Sequence, residues 1–107
     1  SDPQVKDALP KIHLGMGDAL YSQEKYPAAI DAYQKAKDAG PAADDLPWIL
    51  YRQGESWEKT GDGTKAAESY QAVLAVTTDP FWIGRANGRL EEIAWKDRLN
   101  KKEKTAP

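Results

Sequence analysis

At 107 residues, 40% hydrophobic and 30% charged, the chain is long enough for one modest core and too short for two independent domains unless they are repeats. A formal net charge of −2 gives no basic footprint for nucleic acid, and no apolar run approaches the ~20 residues that cross a bilayer. The absence of cysteine removes disulfides and thiolate metal sites.

Four Trp and five Tyr stand against a single Phe, a choice of aromatics with a polar handle that suits helix seams and binding faces. The opening Ser1-Asp2-Pro3-Gln4 shows neither an initiator Met nor a signal peptide and reads as a cut into a longer protein. A first helix is expected to open at Asp7 or Ala8, with Pro10 in its first turn, where a missing N–H costs nothing. Ile12, His13, Met16, Leu20 and Tyr21 recur at three- and four-residue steps and form one apolar stripe. A turn at 23–26 leads to a second helix from Pro27 to Ala39, which Gly40-Pro41 stops. Asp31 and Lys35 make an i,i+4 pair on its outer side, worth ~0.3 kcal/mol.

After the polar linker 40–45, Asp45 is the expected N-cap of a third helix carrying Pro47, Trp48, Leu50, Tyr51, Gly54 and Trp57, with Glu55/Lys59 as a supporting pair. The turn Thr60-Gly61-Asp62-Gly63 leads to Thr64, the expected cap of a fourth helix with Ala66, Ala67, Tyr70, Val73, Leu74 and Val76. Thr77-Thr78-Asp79-Pro80 ends it. A fifth helix runs from Pro80 to about Asn100 on a stripe of Trp82, Ile83, Ala86, Leu90, Ile93 and Ala94, supported by Glu92/Lys96. The charged tail 101–107 is expected to fray.

A shift of 37 residues aligns the first half with the second without a gap. Leu9-Pro10 meets Leu46-Pro47, Ile12 meets Ile49, Gly17 meets Gly54, Ala29 meets Ala66, and Tyr33-Gln34 meets Tyr70-Gln71. His13, the sole histidine, falls opposite Leu50 on the stripe and reads as a core or boundary imidazole, since no nucleophile or metal-ligand spacing accompanies it. Gly61-Asp62-Gly63-Thr64-Lys65 has the wrong order for a phosphate loop and no strand before it, so it is a turn. Asp44-Asp45 and Glu91-Glu92 are sequence neighbours whose side chains diverge and cannot serve as an acid/base pair.

The pattern Gly17/Leu20 with Ala29/Tyr33/Ala36, repeated as Gly54/Trp57 with Ala66/Tyr70/Val73, resembles the tetratricopeptide repeat (TPR), a helix–turn–helix unit of about 34 residues. The resemblance implies an all-α solenoid of about five helices in a single domain. Repeat 1 covers about residues 8–40 and repeat 2 about 45–78, and a half-repeat at about 80–100 acts as a long capping helix. It departs from the family in its long spacing, in Met16 and Gln53 where Leu is usual, and in Asn87 where the two copies have Gly17 and Gly54. Asp79-Pro80-Phe81-Trp82 followed by Arg89-Leu90-Glu91-Glu92-Ile93 resembles the close of such regions in bacterial envelope proteins, which points to a periplasmic or envelope setting within a longer protein.

The resemblance also implies an inner groove lined by the first helix of each unit. By register that groove holds Asp18 and Tyr21 from the first copy and Trp48, Tyr51, Arg52, Glu55 and Lys59 from the second, with Phe81 and Arg85 from the half-unit: an aromatic floor with charged edges. The Lys/Asn clamp with which some family members hold a C-terminal carboxylate is missing, Leu14 and Asp18 standing at two of its places. The expected function is therefore non-catalytic: a scaffold that binds a protein or peptide segment through this groove. No cofactor, metal, nucleic acid or membrane insertion is implied. The alternative is a self-associating spacer, a homo-oligomer in which the groove or an end face packs on another copy.

Overall fold

A computed structural model describes residues 3–105, with side chains for 8–102. Ser1, Asp2, Ala106 and Pro107, with the parts of the opening tetrapeptide and the tail that fall on them, lie outside the described residues. Five helices follow in order: α1 (Pro3–Ser22), α2 (Tyr26–Asp38), α3 (Leu46–Lys59), α4 (Gly63–Val76) and α5 (Pro80–Thr105). No strand occurs among the described residues, and the molecule is elongated, 64 × 30 × 19 Å.

Each helix pair is closed in the same way. Where α1 ends, Lys25 N–H reaches back to the Leu20 carbonyl (2.9 Å) and Glu24 N–H to Tyr21 (2.9 Å); where α3 ends, Asp62 bonds Trp57 (3.0 Å) and Gly61 bonds Glu58 (3.0 Å). These paired bonds satisfy carbonyls that the helix leaves open and need a left-handed residue at the bend. Glu24 (φ 62°) and Gly61 (φ 87°) supply it at corresponding positions.

The second shared device lies inside each pair. A Cβ on Gly17 would stand 2.6 Å from the Tyr33 ring, and one on Gly54 2.7 Å from Tyr70. Tyr33 and Tyr70 are fully buried, each seated where only a hydrogen leaves room. Helix α3 joins the two units, because Ile49 faces Ala29, Tyr33 and Ala36 of the first. Leu50 and Tyr51 face Ala66, Tyr70, Val73 and Ala86 of the second. Buried Gln53 ties the units further, its Nε2 donating to the Ile30 carbonyl (3.2 Å) and to Gln34 Oε1 (3.2 Å).

Several local expectations are corrected. Helix α1 opens at Pro3 rather than at Asp7 or Ala8, so Pro10 lies inside it and one rung of its hydrogen-bond ladder is missing. Asp62, not Thr64, caps α4, accepting from Lys65 N–H at 2.9 Å. Asp45 precedes α3 without a side-chain cap bond. Helix α5 runs to Thr105, past the point where fraying was expected. Glu55 pairs with Arg52 rather than with Lys59, whereas Asp31–Lys35 (3.3 Å) and Glu92–Lys96 (3.4 Å) form as expected. Ile12 and Met16 are 53% and 51% exposed; their counterparts Ile49 and Gln53 are buried because α2 lies against them, and no described helix precedes α1.

Gly54→Ala is expected to destabilise the fold by about 2 kcal/mol, the range for overpacking a tight core. Glu24→Gly, which relieves a left-handed backbone, is expected to stabilise it by about 1 kcal/mol. Urea unfolding followed by circular dichroism measures both, and an unchanged midpoint for Gly54→Ala would remove the close approach from the account.

Candidate functional site

Helical spacing gathers one face from three helices. Asp18 and Tyr21 are one turn apart on α1, Trp48, Arg52 and Glu55 follow one stripe of α3, and Phe81 and Arg85 do so on α5. The Asp18 carboxylate joins the stripes, accepting from the Tyr33 hydroxyl (2.6 Å) and from the Trp48 indole N–H (3.3 Å). The Arg52 guanidinium lies over the rings of Tyr21 (4.6 Å) and Trp48 (5.1 Å), and its Nη1 donates to Glu55 (3.3 Å). Its Nε is buried, 3.9 Å from Asp18, with no hydrogen-bond partner.

On the α5 side, Trp82 packs edge-on against Trp48 (5.8 Å) and tilted against Tyr51 (5.7 Å). Arg85 lies over Tyr51 (5.5 Å) and Phe81 (5.0 Å) and makes no ion pair among the described residues. Cation–π contacts of this kind contribute about 0.5–1 kcal/mol each at exposed sites, so both guanidiniums are positioned without being neutralised by them. Burial raises the Glu55 carboxyl above its ordinary value, and Arg52 pulls it back only in part. Burial likewise raises the Tyr21 and Tyr51 hydroxyls.

The expected site residues thus fall into three groups. Asp18, Tyr21, Trp48, Arg52 and Glu55 come together directly. Tyr51 packs against Trp82 beneath Arg85 and is itself 8% exposed, so most of its ring belongs to the core. Lys59 is exposed in the last turn of α3 and makes no ion pair with the cluster. His13 is half-buried with its Nδ1 unpartnered. Among the described residues no three metal-capable side chains converge, and no helix is long and apolar enough to cross a membrane.

Residues 6–44, most of α1 with α2 and the linker, match the family model of the tetratricopeptide repeat. That segment is a tetratricopeptide repeat. No curated protein and no solved structure matches it. Tetratricopeptide repeats generally mediate protein–protein interaction and are typically non-catalytic. The second repeat, outside the matched segment, shows the same glycine–tyrosine seat and the same closing turn as the first.

One network escaped the sequence reading. Tyr70 donates to Glu58 at 2.5 Å, and Arg89 of α5 grips the same carboxylate through both Nε (2.9 Å) and Nη2. Burial alone would raise the Glu58 carboxyl; the bonds from Arg89 and Tyr70 outweigh it and hold it below the ordinary value. Nothing in the repeat register marks Glu58 for this role, or Arg89, which replaces the Ser56 of the preceding unit.

Because its folded value is depressed, Glu58 contributes stability that is present above the ordinary carboxyl value of 4.5 and lost as pH falls through the folded one. Glu58→Gln is expected to cost about 2 kcal/mol at pH 7, the scale of a charged hydrogen bond, and to flatten the acid limb. Thermal melts from pH 7 to 3 measure this; parallel curves for the two proteins would refute the assignment.

Proposed function

We propose that this repeat protein is a non-catalytic scaffold that binds a peptide segment of a partner on the face shared by α1, α3 and α5. One observation carries the reading: Arg52 and Arg85 are each held over two aromatic rings, and Arg85 makes no ion pair among the described residues. Stability alone gives no reason to gather Tyr21, Trp48, Phe81 and two guanidiniums at a partly open surface, whereas aromatic and arginine anchors are what binding hot spots are made of. Glu55, half-buried beside Arg52, offers an acceptor next to those donors. The missing clamp residues, with Leu14 and Asp18 at their places, argue against a free C-terminal carboxylate as the ligand.

Selection of peptides from a random library against the whole chain tests this. Peptides taken by the parent are expected to lose at least tenfold in affinity for Arg52→Ala/Arg85→Glu while helicity is unchanged. Equal binding to the double variant would refute the assignment of the face.

The exposed Leu9, Ile12 and Met16 on α1 favour a second reading, a spacer that associates end to end. Sedimentation over a hundredfold dilution decides it: the spacer requires a concentration-dependent dimer or larger species, and a constant monomer excludes it.

A further inference from the structure

A cleft of about 390 Å³ opens between α2 and α4, with α3 beneath it. Ile30, Leu50 and Ala72 give it apolar walls. Its charged lining residues cancel, Asp31 and Glu68 against Lys37 and Lys65, and the two carboxylates already pair with Lys35 and Lys65. Such a rim favours an occupant without net charge.

Three further lining residues, Gln53, Trp57 and Ser69, break the repeat in the same sense. Across the 37-residue shift they stand where the first unit has Met16, Leu20 and Ala32, so three apolar side chains are exchanged for three that form hydrogen bonds. Gln53 and Ser69 are only 5% and 9% exposed, and polar groups buried to this degree normally have partners. The Gln53 amide nitrogen has two, the Ile30 carbonyl and Gln34 Oε1. Gln53 Oε1, Ser69 Oγ and the Trp57 indole N–H have none among the described residues. None of these three groups is sealed from solvent, and the cleft is a cavity that all three residues line. The tie to α2 explains the Gln53 nitrogen; it gives no reason for the oxygen, the hydroxyl or the indole N–H.

One neutral group answers all three. A primary carboxamide offers its carbonyl oxygen to the indole N–H and two N–H donors, one for Gln53 Oε1 and one for Ser69 Oγ. A carboxylate would set a second acceptor against Gln53 Oε1, an ammonium would set a donor against the indole N–H, and a backbone amide has one N–H too few. We propose that the cleft between α2 and α4 binds the side-chain carboxamide of a Gln or Asn presented by a partner protein, with its methylene stem against Ile30, Leu50 and Ala72. This site shares no residue with the face of α1, α3 and α5, and it stands or falls independently of it.

Titration of the full chain with N-acetylglutamine methylamide, followed by nitrogen–proton correlation NMR, tests this, with the capped glutamate and capped leucine analogues alongside. The glutamine probe is expected to shift the Trp57 indole signal saturably, with a midpoint of about 10 mM or below, the scale for a ligand of this size. The midpoints of both analogues are expected to lie at least fivefold higher. Ser69→Ala, which restores the residue type of the first unit, is expected to weaken the glutamine probe at least threefold with unchanged circular dichroism. Trp57→Phe, followed through the Gln53 side-chain signals, is expected to do the same. The proposal is overturned if the Trp57 signal does not saturate, or if capped leucine binds equally well, which would leave the backbone amides as the ligand. It is also overturned if capped glutamate binds best, if neither variant weakens the probe, or if the shifts gather at Trp48 and Arg85.

Discussion

The seating of a tyrosine ring against a glycine backbone is the contact on which the remaining geometry depends. At Gly17 and Gly54 the approach is so close that no other residue fits without moving a fully buried ring. Rings at these two places fix the rotation of each helix within its pair. That in turn fixes which face of α1 and α3 is left to neighbours. With the rotation set, Ile49 must meet the first unit and Leu50 the second. Trp48 and Arg52, on the side of α3 away from Leu50, must emerge on the common face. The site is therefore a consequence of the lock rather than a separate invention, and the closing turns at Glu24 and Gly61 hold each pair at the angle the lock requires.

The two tyrosine hydroxyls then divide the carboxylates between structure and surface. A buried hydroxyl needs an acceptor, and burial together with that bond raises both Tyr33 and Tyr70 well above ordinary tyrosine. Tyr33 takes Asp18, whereas Tyr70 takes Glu58, one turn beyond the residue that corresponds to Asp18. That counterpart is Glu55. Freed from the tyrosine, it stays on the common face beside Arg52 and keeps a carboxyl raised by burial. Arg89 completes the exchange by neutralising Glu58 from α5, fastening the last helix to the second unit at the same time.

Much of this was legible because it is periodic. The 37-residue register pairs Gly17 with Gly54 and Tyr33 with Tyr70, and a small residue matched to a large one at two places is the mark of close packing. The same register brought Asp18, Tyr21, Trp48, Arg52 and Glu55 to one face. What could not be read lies where the two copies differ. Whether a tyrosine hydroxyl chooses the carboxylate at one position or a turn later depends on side-chain length, Asp against Glu, and on a cation from a third helix. Trp82 was read as part of an apolar stripe, yet its contact with Trp48 ties α5 to the face. Helix ends were the other loss. Pro10 suggests a first turn, yet residues 3–9 contain no breaker after Pro3, and tertiary contacts further along α1 outweigh one missing rung.

Helix α5 keeps part of the repeat's packing and departs from the rest. It keeps the inward residues that α4 requires, with Ala86 fully buried and Arg89 bound to Glu58. It gives up the glycine that would admit another tyrosine, placing Asn87 there instead. The backbone approach that Gly17 and Gly54 allow to a tyrosine ring is therefore not offered by α5. What α5 retains is its hold on the second unit, through Ala86 and Arg89, and its share of the common face, where Trp82 meets Trp48 and Arg85 lies over Tyr51 and Phe81.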